Sequence, residues 1–253
     1  MAKVRKNGFC RLCDSFTELS FEHVPPKSAF NDKRVLLHSL SYINDNSYQI
    51  AKKTPARNHN RGLGEHSLCE RCNNLTGAWY GTAYSEWAKQ GMIYLDVIEK
   101  SSSIDIPFYI QPLNVLKQMA TMTLAMSNGG FVNKHIELKR FVLNKRDRFL
   151  PKEYLFYVYL TNKKSEARYM AETVSLNIFT GESDFVLAEV ALPPFGFVVL
   201  SAMPEKKSSV KSENLCSINH FANYDYNGWI TVFLKIPIHR IWSPTPLDYR
   251  KID

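Results

Sequence analysis

Alternating apolar and polar residues in the first part of the chain predict short strands. The stretch ELSFEHVPP, residues 18–26, alternates in this way up to its two prolines. A residue before proline is held extended and proline donates no hydrogen bond to a neighbouring strand, so the strand should end at His23 or Val24. Residues 27–61 are mostly polar and predict a long loop. The stretch GLGEHSLC, residues 62–69, predicts a second strand that returns from this loop.

A helical pattern replaces the alternation after Cys72. The stretch NNLTGAWYGTAYSEWAKQG begins at Asn73 and carries Tyr80, Tyr84 and Trp87 at the spacing i, i+4 and i+7. This spacing places the three rings on one face of a helix. It favours a stripe that faces the protein core, and a platform for stacking nucleic-acid bases is the alternative.

The remaining two thirds of the chain predict helices followed by strands. Residues 101–112 are predicted as a connector that ends in a proline at a helix start. One face of that helix is predicted to enter the core through Val115, Met119, Met122 and Met126. Residues 133–144 predict a second short helix. Strand-like runs follow, namely EYLFYVYLT, RYMAETVSLNIF, DFVLAEVAL, FGFVVLSA and GWITVFLKIPI. The expected architecture is an antiparallel sheet packed on one or two helices.

The most apolar stretch, FVLAEVALPPFGFVVLSAM, does not have the pattern of a membrane span. It contains Glu189 and the pair Pro193–Pro194, which would break a helix at its middle, so two strands joined by a turn are expected. The start of the chain, MAKVRKNGFC, carries charge without an apolar segment behind it, unlike a signal peptide. We therefore expect a cytoplasmic protein without a membrane partner.

The charge of the chain favours an anionic partner. Lys and Arg number 32 against 24 Asp and Glu, which gives a formal charge of +8. Residues 1–75 hold 12 of these cations and 7 of the acids, so that +5 of the +8 lies in this part. Nucleic acid is the commonest partner of such a surface. The candidate phosphate contacts in the polar loop are Lys52, Lys53, Arg57 and Arg61.

Four of the five cysteines form two pairs, CRLC (Cys10, Cys13) and CERC (Cys69, Cys72). Where thiols stay reduced, clustered cysteines usually bind a metal. Two intervening residues allow one turn to present both sulfurs to an ion, and four thiolates complete the tetrahedron of a structural zinc site. Such a closed shell leaves no position for chemistry. The alternative is two unrelated redox or buried pairs. Cys216 is predicted as a core or strand residue.

The order of these features resembles the zinc-supported ββα-metal module of HNH endonucleases. The matching residues are the run Glu22-His23-Val24-Pro25, followed by Pro26, and the run from Cys69 to Cys72 that continues into Asn73-Asn74. With the first cysteine pair, the resemblance covers roughly residues 8–90. We therefore predict an α+β protein with an HNH-like zinc and nuclease domain in residues 1–100. A mixed helix and antiparallel-sheet domain, for scaffolding or recognition, is predicted for residues 101–253.

The resemblance implies a role for each residue at the predicted strand end. His23 would be the general base that takes a proton from the attacking water, and Glu22 would be a ligand of a catalytic magnesium or manganese ion. Asn73 would either complete that metal site or act as a plain N-cap of the helix. The middle Asn of the family, which supports the general base, has no certain counterpart, and Asn58 and Asn60 are the nearby candidates.

Two functions follow from the sequence. The preferred hypothesis is a metal-dependent HNH-type endonuclease that hydrolyses phosphodiester bonds in DNA, in phage defence or in a mobile element. The alternative is a non-catalytic zinc-stabilised module that binds DNA or a protein partner. Because one metal site typically cuts one strand, a double-strand break requires a homodimer or two successive events.

Overall fold

The computed structural model describes most of the chain in seven segments. They are residues 6–37, 57–97, 103–128, 134–161, 167–176, 183–201 and 215–239. Within these segments, no helix has both the length and the apolar character needed to cross a membrane.

A small antiparallel sheet forms the N-terminal part. Strands β1 (Lys6–Phe9) and β2 (Phe16–His23) pair with each other, as the alternation in residues 18–26 predicted for β2. Two short strands follow, β3 (Val35–Leu37) and β4 (Arg57–His59), and they pair in a separate two-stranded sheet. Strand β5 (Gly64–Cys69) then returns to β2, which gives the order β1-β2-β5.

The long loop predicted for residues 27–61 is therefore wrong in part. Val35 begins β3 and is 2% exposed, and it packs in a small apolar cluster with Leu63. Val35 therefore supplies a buried side chain in a stretch where the neighbouring polar residues had predicted a loop. Residues 38–56 lie outside the described part.

The helix predicted after Cys72 begins earlier than expected, at Glu70. Helix α1 (Glu70–Thr76), a π-helical turn (Gly77–Gly81) and α2 (Thr82–Val97) follow one another without a break. The predicted core stripe is confirmed, because Tyr80, Tyr84 and Trp87 are 0%, 2% and 0% exposed. The Trp87 ring stacks on Phe195, with ring centroids 4.0 Å apart.

Strand β6 (Ser103–Ile110), helix α3 (Pro112–Met126) and helix α4 (Ile136–Leu143) come next in the chain. Both helices were predicted. The remaining strands are β7 (Tyr154–Thr161), β8 (Arg168–Leu176), β9 (Ser183–Leu192), β10 (Phe195–Ser201), β11 (Cys216–Ser217) and β12 (Ile230–His239). They form a seven-stranded sheet in the order β6-β12-β7-β10-β9-β8, with β11 also on β7. Its pairings are antiparallel, apart from a short parallel contact between β12 and β7.

The connector predicted for residues 101–112 is wrong, because most of it is β6. Ile106, Phe108 and Ile110 alternate inward and are 1%, 0% and 0% exposed. Pro107 points outward between them. A proline, which has no N–H to donate, is tolerated here because β6 is the edge strand of the described sheet, so on one side no described strand needs a hydrogen bond from it. The alternation, and not the proline, decides the conformation.

Helix α3 is the centre of the molecule, since every residue in it is buried. One apolar cluster contains residues from the N-terminal sheet, the helices and the large sheet, from Cys10 to Ile236. Polar contacts also link the two predicted domains. The Arg11 guanidinium donates to the Ala125 carbonyl, and Lys139 Nζ lies 2.7 Å from a carboxylate oxygen of Asp14. The division near residue 100 stays a prediction.

A fully buried lysine on α3 fixes the end of α4. Lys117 is 0% exposed, and its ammonium donates to the carbonyl of Phe141 and, at 2.7 Å, to that of Asn144. These carbonyls belong to the last turn and the C-cap of α4, which have no partner within the helix. Burial lowers the pKa of Lys117 to about 7.

We predict that Lys117 makes the stability of the protein depend on pH. Its pKa is near 10.4 in an unfolded chain, so the unfolded state binds more protons than the folded state between pH 7 and 10. The free energy of unfolding should therefore rise with pH in this window, by up to about 1.4 kcal/mol per pH unit. In Lys117→Met, urea denaturation at pH 7, 8 and 9 should give a flatter profile than in the wild type.

Gln118→Met is the matched control, because Gln118 is its buried neighbour on α3 and does not titrate. Its profile should run parallel to that of the wild type. A Lys117→Met profile that is also parallel to the wild type would contradict the prediction.

Candidate metal centre and the adjoining strand end

The two cysteine pairs come together as the sequence predicted. Cys10 and Cys13 lie in the turn between β1 and β2, while Cys69 ends β5 and Cys72 lies in α1. Their four sulfur atoms all lie within 4.8 Å of one another, and the Cys13 and Cys69 sulfurs are 3.8 Å apart. A tetrahedral ion with sulfur bonds of about 2.3 Å has its sulfurs about 3.8 Å apart. The cluster is therefore compatible with a metal site.

The surroundings of the cluster lower the pKa of Cys10 and raise those of Cys69 and Cys72. A hydrogen bond from the Cys72 thiol, helped by backbone N–H groups, lowers the pKa of Cys10 to about 4. The same hydrogen bond and burial raise the pKa of Cys72. Cys10 is completely buried, and burial by itself raises the pKa of a thiol, so the lowering comes from these hydrogen bonds. Four cysteine sulfurs this close together suit a thiophilic cation.

Backbone hydrogen bonds shape the first cysteine turn and tie it to β5. Cys10 N donates to Ser15 O at 2.9 Å, and Asp14 N donates to Cys10 O at 2.9 Å. Arg11 N donates to Ser67 O of β5 at 3.0 Å, which ties this turn to the strand that carries Cys69. The sulfur positions therefore follow from the register of the small sheet.

Glu22 and His23 are the last two residues of β2, so their side chains lie on opposite faces of the strand. Glu22 is 7% exposed and pairs across the sheet with Glu65. Burial raises the pKa of Glu22 to about 8. Among the described residues, no group donates a hydrogen bond to its carboxyl. A buried acid with a strongly raised pKa is typical of functional sites.

The imidazole of His23 is held by the loop that precedes β5. Its Nε2 lies 3.0 Å from the carbonyl oxygen of Arg61, and its ring packs edge-to-face on Phe21 at 4.9 Å. A carbonyl only accepts, so Nε2 carries the proton and Nδ1 keeps its lone pair. Burial lowers the pKa of His23, which leaves the ring neutral at pH 7. The orientation and the protonation state both suit a base.

Asn73 joins the first turn of α1 to the end of β2. Its Nδ2 donates to Ser20 Oγ at 3.0 Å and to the Phe21 carbonyl at 3.2 Å. Ser20 and Glu22 lie on the same face of β2, because side chains alternate along a strand. Asn73 is not the N-cap that the sequence left as an alternative. Cys69 occupies that position, and its sulfur accepts a hydrogen bond from Cys72 N.

A buried asparagine that the sequence did not reveal supports the loop beside His23. Asn31 is 1% exposed, and its Nδ2 donates to the carbonyls of Pro25 and Leu63 at 2.6 and 2.8 Å. Its Oδ1 accepts from Leu63 N at 2.6 Å. Gly62 has φ +86°, and a Cβ there would lie 2.2 Å from the Asn31 carbonyl oxygen. The three hydrogen bonds of Asn31, which we call the Asn31 clamp, therefore require a glycine directly after Arg61.

Asn58 and Asn60, the predicted candidates for the Asn that supports the general base, lie in the same part of the chain. Asn60 is exposed and forms a backbone bridge with Gly62, and Asn58 pairs with Leu36 between β4 and β3. The buttress of His23 is thus the Arg61 carbonyl, in a loop held by Asn31. The predicted phosphate contacts Lys52 and Lys53 lie outside the described residues, as does the side chain of Arg57. Their binding of DNA stays a prediction.

Removal of one thiolate should empty the cluster. We predict that Cys69→Ser purifies with close to no bound metal, against about one ion per chain in the wild type. The N-terminal strands should lose order, because ion binding and folding are coupled at such sites. Inductively coupled plasma mass spectrometry measures the metal, and circular dichroism measures the structure. Cys216→Ser, which changes a cysteine of β11, is the control and should keep its metal; equal metal content in both variants would contradict the assignment.

Loss of the Asn31 clamp should destabilise the fold. Asn31→Ala leaves the buried carbonyl of Pro25 and the Leu63 N–H without the partner that Asn31 gives them, while the Leu63 carbonyl keeps its bond from Val24 N, and the free energy of unfolding should fall by about 2–4 kcal/mol. Asn31→Asp keeps the acceptor for Leu63 N but loses both donated bonds, so it tests the donor side alone. Urea denaturation is the measurement. A loss below about 0.5 kcal/mol in both variants would contradict the clamp.

Comparison with models of protein families, with curated proteins and with solved structures finds no match to this chain. A function for it therefore has to be argued from its own residues. Those residues provide a four-sulfur cluster, the buried carboxyl of Glu22 and the neutral imidazole of His23 at one strand end, and the amide of Asn73 in the adjoining helix turn.

Proposed function

We propose that the chain is a metal-dependent endonuclease of the HNH type that hydrolyses phosphodiester bonds in DNA. The observation that carries this proposal is the pair of hydrogen bonds from the Asn73 amide to β2. They bring the first turn of α1 against the face of the strand that also bears Glu22. The resemblance to HNH nucleases implies two strands and a helix beside a four-cysteine cluster, and β2, β5 and α1 have this arrangement.

Zinc is the proposed ion of the four-cysteine cluster. Four sulfur donors at tetrahedral spacing favour zinc over the hard cations, and a complete sulfur shell leaves no open position. In this proposal the cluster holds β1, β5 and α1 together and takes no part in the reaction.

Magnesium or manganese is the proposed second cation, held by Glu22 and Asn73. A carboxylate and an amide oxygen are the hard donors that such ions prefer, and the Nδ2 of Asn73 is already engaged with β2, which leaves its Oδ1 as the donor. When bound, the ion would stabilise negative charge that develops on the phosphate and the leaving oxygen. A cation beside Glu22 would also favour the ionised carboxylate that burial otherwise opposes.

His23 is the proposed general base. Its Nδ1 takes a proton from the attacking water, whose oxygen bonds to phosphorus while the bond to the leaving oxygen breaks. The Nε2–H then donates to the Arg61 carbonyl as part of an imidazolium, and a hydrogen bond from a charged donor is stronger than one from a neutral donor. The Asn31 clamp therefore acts on the base through the position of Arg61.

The surface charge supports DNA as the substrate. Arg61 lies next to the proposed base, and the N-terminal part of the chain carries most of the excess positive charge. In this proposal Arg61, together with Lys52, Lys53 and Arg57, contacts phosphates that flank the cut. Each site would cut one strand, so a homodimer or two events would produce a double-strand break.

We predict that His23→Ala cuts supercoiled plasmid at least about 100-fold more slowly than the wild type with magnesium or manganese, because general-base catalysis contributes about 10²–10⁴-fold. Both proteins should contain the same amount of zinc. The control is His220→Ala, since His220 is exposed on the 3-10 helix Asn219–Asn223 and should leave the rate unchanged.

Glu22→Gln provides a second test, because it keeps the size of the side chain and removes the carboxylate. It should cut more slowly than the wild type and need a higher concentration of the divalent ion, because one of the two proposed ligands loses its charge. Equal cutting by the wild type and by His23→Ala would contradict the proposal. Binding of plasmid without cutting by the wild type would favour the non-catalytic zinc module.

A further inference from the structure

A cleft with a volume of about 530 Å³ lies far along the chain from the strand end described above. It opens between the turn that follows α4 and the segment that precedes β12. The lining residues are Lys145, Arg146, Arg148, Asp225, Tyr226 and Asn227. Three of these six side chains are cations, and one is an acid. The 145–227 cleft has no role in the proposed hydrolysis.

Buried residues of α3 hold both walls of the cleft in place. Asn114 is 1% exposed, and its Nδ2 donates to Asn227 Oδ1 at 3.0 Å while its Oδ1 accepts from Asn227 N at 3.3 Å. Lys117 holds the other wall through the Asn144 carbonyl, directly before Lys145. Arg148 bridges the two walls, 2.8 Å from a carboxylate oxygen of Asp225. The cleft is thus a built feature and not the gap between two free loops.

The cleft carries an excess of positive charge. Arg148 and Asp225 neutralise each other, whereas Lys145 and Arg146 form no ion pair within the described part of the chain. The Lys145 ammonium lies 5.2 Å from the centre of the Tyr226 ring and 5.6 Å from that of Trp79. Ring contacts of this kind orient a cation without neutralising its charge. Two cations therefore remain for an anionic ligand.

A stacked pair of exposed aromatic rings lies beside the cleft. Trp229, two residues beyond Asn227, stacks on Tyr109 with centroids 5.2 Å apart and an interplanar angle of 27°. The Trp229 and Tyr109 rings are 41% and 57% exposed, so part of the pair is open to a ligand. Gln111 Nε2 donates to the Asn227 carbonyl at 3.5 Å and links the strand that carries Tyr109 to the cleft.

We propose that the 145–227 cleft and the Trp229–Tyr109 pair together bind single-stranded DNA. Lys145 and Arg146 contact successive phosphates, and an unpaired base stacks on the exposed face of the ring pair. Cations that follow a backbone next to aromatic rings are the combination by which proteins bind single strands. A duplex keeps its bases stacked on one another, so it would use the cations alone. This binding needs neither the second cation nor His23.

The test uses the full chain with the His23→Ala change and its zinc, without magnesium, and a fluorescein-labelled ten-residue thymidine oligonucleotide. Fluorescence anisotropy between 50 and 300 mM NaCl gives the affinity and its salt dependence. In Lys145→Ala/Arg146→Ala the slope of log K against log salt should fall by about 1.4, since each single-strand phosphate contact contributes about 0.7. The control Lys134→Ala/Arg140→Ala removes the same charge from exposed positions outside the cleft and should keep the slope.

Substitutions of Trp229 test the stacking. Trp229→Leu should weaken binding about tenfold, whereas Trp229→Phe keeps an aromatic face and should remain within about threefold of the parent. Equal binding by Trp229→Leu and the parent would overturn the proposal. So would a salt slope shared by the two double variants, or a ten-base-pair duplex bound as tightly as the single strand. Failure of plasmid cutting bears only on the nuclease, because every protein in this assay lacks His23.

Discussion

Cys69 is the residue on which the geometry of the N-terminal part depends. It ends β5, its sulfur caps α1 by accepting from Cys72 N, and the same sulfur lies 3.8 Å from that of Cys13. The sheet, the helix and the cluster therefore share one residue. Because Cys69 sets where α1 begins, it also sets where Asn73 meets β2. The proposed catalytic residues would lose their arrangement if β5 and α1 separated, because Asn73 lies in α1 directly after Cys72.

Buried amide and amine side chains position both of the surfaces that we assign to DNA. Asn31 clamps the loop beside His23, and Asn114 clamps the segment that forms one wall of the 145–227 cleft. Each uses both its donor and its acceptor on one distant residue, Leu63 for Asn31 and Asn227 for Asn114. Lys117 donates to the Asn144 carbonyl and holds the turn after α4. Loops carry the proposed contacts, and rigid buried partners give those loops a defined shape.

Burial also controls the charge of the proposed catalytic groups. It raises the pKa of Glu22 and lowers that of His23, so both side chains are mainly neutral at pH 7 when no cation is near. A neutral imidazole is the form that can accept a proton. A protonated buried acid avoids the cost of a desolvated charge, and a divalent ion would reverse that balance. Uncompensated positive charge lies instead at the surface, where it costs little and attracts phosphates.

The sequence by itself determined the elements whose pattern is local. The alternation before Pro25 predicted β2 and its end, the spacing of Tyr80 and Trp87 predicted the buried face of the helix, and the two cysteine pairs predicted a shared cluster. The connector predicted for residues 101–112 was wrong, because the two prolines and three serines there outweighed an alternation that becomes a strand only beside β12.

Only the tertiary structure decided the contacts between distant parts. The Asn31 clamp, the Arg61 carbonyl at His23 and the meeting of Arg148 with Asp225 join residues 32 to 77 positions apart. Single asparagines and backbone carbonyls have no characteristic spacing in a sequence. Which groups they contact depends on where the chain folds back. The packing of the sheets and helices around α3 determines that position.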